Sequence, residues 1–176
     1  AFALGGIFLT CFSYFVLLFY LQARKPEQLI QLRVQFLQSC RQILTLPPGE
    51  TQHHLSMADA LSKLAAYLED FEWNFYKTPK ILQPFSRLIS RFSAYCYGED
   101  VFKIKQLLLQ AAVDEHLKQI RITPTDLELH ASLASTYVSL SKLYKKVLLQ
   151  EEHCLTAKLA MEEFSILSQY APNDPW

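Results

Sequence analysis

The chain has 176 residues, 51% of them apolar, and its 17 basic residues balance 17 acidic ones to a formal charge of zero. That length suits one compact domain, and neutrality removes the electrostatic basis for nucleic-acid binding. Cys11, Cys40, Cys96 and Cys154 form no C-x-x-C pair, which fits neither a zinc site nor a disulfide scaffold; buried reduced thiols are expected.

Ala1 to Leu21 carries no charged residue and is rich in Phe, Leu and Tyr. As a helix it measures about 30 Å, the thickness of a bilayer's hydrocarbon core. A cleaved signal peptide would need a small-x-small site at the end of its apolar run, absent between Tyr14 and Arg24, and a core helix would show a polar face. A transmembrane helix over residues 1–22 is therefore expected, with Tyr14 and Tyr20 as interface anchors. Arg24 and Lys25 follow at once, so the remainder is expected to face the cytoplasm from a single-pass anchor.

Residues 23–176 read as an all-α helical-repeat domain, with hairpins at about 27–77, 79–121 and 124–172. Leu29, Leu32, Phe36, Cys40 and Ile43 mark one amphipathic helix, which Pro47-Pro48-Gly49 stops. A second runs from about Leu55 to Lys77 on Leu61, Leu64, Leu68, Phe71 and Phe75. After Thr78-Pro79 a third carries Leu82, Phe85, Ile89, Phe92 and Cys96 and is expected to end at Gly98, a favoured residue beyond a helix C-terminus. Asp100 to Ile120 supplies a fourth. No β-strand alternation interrupts the series.

The last hairpin is the best marked. Leu133, Tyr137, Leu140, Tyr144 and Val147 line one face, and Thr125 with Glu128 reads as a capping box. In the next helix Ala157, Ala160, Phe164, Leu167 and Ala171 form the stripe. Leu133-Ala134-x2-Tyr137 resembles the first-helix signature of a tetratricopeptide repeat, and Ala160-x3-Phe164 with Pro172 is similar to its second helix and exit proline. The interval from Tyr137 to Ala160 is longer than in that family, leaving open longer helices or a HEAT-like hairpin. Thr78, Thr123 and Asp174, each followed by proline, stand 45 and 51 residues apart, longer than the about 34 of a tetratricopeptide repeat. The resemblance implies a stacked α-solenoid that binds proteins, and Asp174-Pro175-Trp176 resembles the opening of a further hairpin in a continuing array.

Chemistry is sparse. Glu50 and His53 give a single Glu-x-x-His, where a two-metal helical site needs the pair twice; a solvated loop is expected, and adjacent His53 and His54 make a weak metal site. Glu151-Glu152-His153-Cys154 reads as an exposed turn. There is no nucleophile elbow and no phosphate-cradling glycine loop, so no catalytic residue, cofactor, metal or small-molecule substrate is expected. Trp73 and Tyr76, off the core stripe, are candidate partner anchors, weighed against packing on the adjoining hairpin. Arg87 and Arg91 share a helix face suited to an acidic peptide, weighed against a solvated face, as are Lys142, Lys145 and Lys146. The function expected is a membrane-anchored interaction scaffold for a protein or peptide partner; a structural subunit of a membrane transport or secretion complex is the alternative.

Overall fold

A computed structural model describes residues 2–43, 51–74, 80–147 and 149–170, and every regular element among them is helical. Helix α1 spans Phe2–Ile43, α2 Thr51–Tyr67, α3 Phe71–Asn74, a 3-10 segment Lys80–Phe85, α4 Ser86–Ile122, α5 Leu127–Lys146 and α6 Gln150–Tyr170.

The boundary expected at residue 22 falls inside α1, which runs unbroken for 42 residues. Ala23, Arg24 and Lys25 are strong helix formers, so nothing there ends the helix. Pro26 removes the bond that its N–H would have given to the Gln22 carbonyl and crowds that carbonyl, yet the helix runs on through it, with Gln22 exposed to solvent. The two parts of α1 differ in environment. Residues 3–21 are exposed throughout, while Phe36, Leu37 and Cys40 pack on the domain core. Leu32 and Ile43, expected on the same buried stripe, remain exposed.

Helix α2 stops ten residues before the expected Lys77, because Asp70 turns the chain through a left-handed φ of 59°. Aspartate tolerates that conformation better than most residues because its short polar side chain bonds locally. The expected stop at Gly98 does not occur. Gly98 has no positive φ, lies mid-helix, and α4 continues for 37 residues as the spine of the domain. A single interior glycine costs about 1 kcal/mol, too little to break a helix packed along its length. The span 79–121, read as a hairpin, is thus mostly one helix.

Packing follows from which faces are apolar. Met57, Leu61 and Ala65 of α2 meet Leu108, Leu109 and Ala112 of α4 and Leu140 and Tyr144 of α5. A second cluster joins Val113 of α4 to Leu133 and Tyr137 of α5 and Ala160 of α6. Each fully buried leucine here contributes about 1.5–3 kcal/mol. Helices α5 and α6 are antiparallel, tied at one end by His130 to Glu163 at 2.6 Å and at the other by His153 to Ser141 at 2.7 Å. Two local readings need correction. The N-cap of α5 is Asp126, whose Oδ1 accepts from the N–H groups of Glu128 and Leu129, rather than Thr125. Glu151, Glu152 and His153 form the first turn of α6, where acidic residues complement the helix dipole, rather than a loop.

Candidate functional site

The turn at Asp70 has a structural consequence: it redirects the chain so that α3 carries Glu72 into the seam between α4 and α5. Glu72 Oε1 accepts from Lys146 Nζ at 2.8 Å, and its Oε2 lies 3.8 Å from Lys105 Nζ. Both Glu72 and Lys105 are buried, whereas Lys146 is half exposed and also lies 3.8 Å from Asp70. Burial raises the pKa of Glu72, but the Lys146 hydrogen bond and the two ammonium charges outweigh it and hold the carboxyl below its usual range. The same pairing holds the Lys146 ammonium above its ordinary value, against a smaller opposing effect of burial.

Two concavities flank this ion pair and share Lys105, Leu143 and Lys146. One, of about 260 Å³, is bounded by Ala65, Ala66 and Glu69 of the α2 side, Leu109 of α4, and Ser139 and Lys142 of α5. The other, of about 220 Å³, is bounded by Glu72, Gly98, Phe102 and Val147. The arrangement offers ammonium donors beside aliphatic walls, a chemistry suited to an acidic side chain next to an apolar one.

A second polar cluster joins α1, α2 and α4. Glu115 Oε2 accepts from His54 Nδ1 at 2.6 Å and its Oε1 from Lys118 Nζ at 2.8 Å, with Arg41 at 4.0 Å. The carboxyl is held low by these bonds despite burial, which pushes the other way. Neighbouring His116 is 1% exposed, its Nδ1 lacks a hydrogen-bond partner among the described residues, and burial pushes its pKa down to about 4. His53, expected in a solvated loop, is also buried, because α2 begins at Thr51 and turns it inward. No group of three or more His, Cys, Asp or Glu suited to a metal ion occurs among the described residues. The cluster is arranged to neutralise a buried carboxylate.

The residues singled out from sequence are scattered. Trp73 is half exposed beside Glu72, whose carbonyl accepts from buried Ser93 Oγ at 2.8 Å. Arg87 and Arg91 are exposed on α4, and Tyr76 and Pro172 lie outside the described residues, as does Asp174-Pro175-Trp176. Leu133, Ala134, Tyr137 and Ala160 are buried as expected. Phe164 is not: it is 41% exposed, whereas Ala160 packs with Leu133 and Tyr137 of α5 and Leu167, three residues on, is fully buried. Cys11 and Cys154 are exposed rather than buried, and all four thiols are free. Sequence reasoning missed Glu72 and Lys105, and the only signal at the seam was the lysine cluster around Lys146.

No protein-family model, curated protein or solved structure matches this chain.

Proposed function

We propose that this chain is a membrane-anchored interaction scaffold in which α1 enters the bilayer and the helical domain receives a protein or peptide partner at the membrane surface. The observation that carries the reading is the contrast within α1. It contains an 18-residue window long and apolar enough to cross a membrane, with 0% of that window buried against the rest of the chain. A core helix of a soluble domain would hide such a surface, and an exposed apolar surface of this length marks a lipid or partner contact. The same helix continues into the domain, where Arg33 and Arg41 approach Asp114 and Glu115 of α4, so the anchor and the domain are joined by helix rather than by a loose linker. Confinement at the membrane raises the effective concentration of partners there. The charge asymmetry of Arg24 and Lys25 favours a cytoplasmic domain.

The groove beside Lys105, Lys142 and Lys146 is the site assigned to the partner, which presents a carboxylate flanked by apolar residues. Burial of Leu133, Ala134, Tyr137 and Ala160 supports a tetratricopeptide-like reading of the α5–α6 hairpin. A photo-crosslinking residue replacing Ser139 on the groove wall of the full membrane-bound chain is expected to give a discrete protein adduct that Lys142→Glu abolishes. Equal labelling from the groove and from exposed Asp59 would contradict this assignment.

A further inference from the structure

Among the described residues, the N-terminal half of α4 and the Phe85 that precedes it leave one face exposed. Phe85, Leu88, Phe92 and Tyr95 follow at steps of three and four residues, one stripe on a helix, and are between 54% and 87% exposed. Arg87 and Arg91 each precede a stripe residue by one position, about 100° round the helix, so they border the stripe along one flank. Neither arginine has a carboxylate partner among the described residues. The opposite face is fixed to the domain by buried Ser93, so the stripe is held outward.

Three ion pairs between α1 and α4 say what lies beyond it. Lys25 meets Asp100 at 2.9 Å, Arg33 meets Asp114 at 3.7 Å and Arg41 meets Glu115 at 4.0 Å. Residue numbers rise together on both helices, so α1 and α4 run in the same sense. From the Lys25–Asp100 junction, moving toward either N-terminus leads the same way: along α1 into its apolar segment, along α4 onto the exposed stripe. Leu21 is about 6 Å beyond the junction and Phe85 about 22 Å, so α4 reaches the level of Leu21 even if the axes cross at about 70°.

We propose that the N-terminal half of α4 is a second membrane-contacting surface, lying in the headgroup region of the bilayer that α1 enters. The inference rests on the anchor reading of α1. An aromatic and aliphatic stripe bordered by arginines fits the acyl–headgroup boundary, with the guanidinium groups on lipid phosphates. Arg87 and Arg91 keep the segment at that boundary, since charged side chains in the hydrocarbon are costly. Two contacts, one spanning and one lying flat, fix the tilt of the domain and hence the direction in which the lysine-lined groove faces.

The full chain, reconstituted in vesicles of phosphatidylcholine and phosphatidylglycerol, provides the test. In a Trp73→Phe, Trp176→Phe background, Tyr95→Trp introduces one indole on the stripe, and Leu88→Trp gives a second reporter should the first perturb folding. Phosphatidylcholine brominated on the acyl chain near the headgroup is expected to quench either indole at least about two-fold. Ile122→Trp, at the far end of α4, is expected to stay unquenched, and Arg87→Glu with Arg91→Glu to weaken the stripe signal. Unquenched stripe reporters in chains that float with the vesicles overturn the proposal, whether their emission reports water or a second copy covering the stripe. Failure of the full chain to float overturns the anchor reading itself, a result separable from loss of the stripe contact alone.

Discussion

Nζ of Lys146 lies 2.8 Å from Oε1 of Glu72, joining residues 74 positions apart and closing the seam between α3 and α5. The pair also supplies the counter-charge for Lys105, which is 7% exposed. Removing the carboxylate leaves that ammonium buried without a neutralising partner, and breaking such a network from one side costs more than the pair gains over an apolar replacement.

Glu72→Gln is accordingly expected to destabilise the chain by about 2–4 kcal/mol in chemical denaturation. The pH dependence has a definite sign. The folded pKa of Glu72 is depressed, so its contribution is present above the ordinary carboxylate range and lost as pH falls through the folded value. The variant should lose part of the acid-side slope of the stability profile; an unchanged profile would detach Glu72 from the seam's energetics.

The α5–α6 hairpin carries a titrating clamp at His130. Burial opposes its charge, but the Glu163 hydrogen bond, the Pro124 carbonyl at 3.0 Å and the nearby carboxylates prevail, and the pKa is raised. A raised histidine contributes stability fully present below its unfolded value of about 6.5 and lost as pH rises through the folded value. NMR titration should place His130 above the ordinary histidine pKa, and Glu163→Gln should bring it down.

His116 has the opposite sign. Its folded pKa is pushed down to about 4, with Asp59 and Glu115 only partly offsetting the burial. Between about pH 4 and pH 6.5 the unfolded chain binds the extra proton, so this contribution is complete above about 6.5 and disappears as pH falls, on the order of 2–4 kcal/mol in all. His116→Phe, similar in bulk and without a proton to take up, should flatten the profile in that window when measured beside the parent chain. A slope that survives the change would exclude His116 as its source.

Ala134 and Ala160 sit where helices approach, 0% and 4% exposed. Phenylalanine at either position has no space to occupy, and overpacking there should cost about 1–3 kcal/mol. Thermal unfolding measures it, and neutral effects at both sites would contradict the close packing of α5 with its neighbours.

How much of this was legible in the sequence depended on range. Leu133, Tyr137, Leu140 and Tyr144 announce the buried face of α5 because helical periodicity is a local property, and they are buried. The continuity of α4 was not legible, because Gly98 is as good a terminator as an interior residue, and packing on α2 and α5 decides between them. The end of the apolar run before Arg24 and Lys25 misled in the same way at the junction within α1, where a change of composition is not a break in the helix. The seam was invisible, since Glu72, Lys105 and Lys146 sit far apart in the chain and charged residues are ordinarily solvated. Burial of His53 and exposure of Phe164 likewise depend on how far a helix turns before meeting its neighbour.

The measurement that bears most directly on the whole account is alkaline carbonate extraction of membranes containing the full chain, with the intact mass of the retained protein read by mass spectrometry. An integral α1 predicts that the chain stays in the membrane pellet with residues 1–21 still attached, and that deletion of those residues releases a helical protein into the supernatant. Release of the full chain by carbonate, or a retained mass lacking the apolar segment, would contradict a membrane-anchored scaffold.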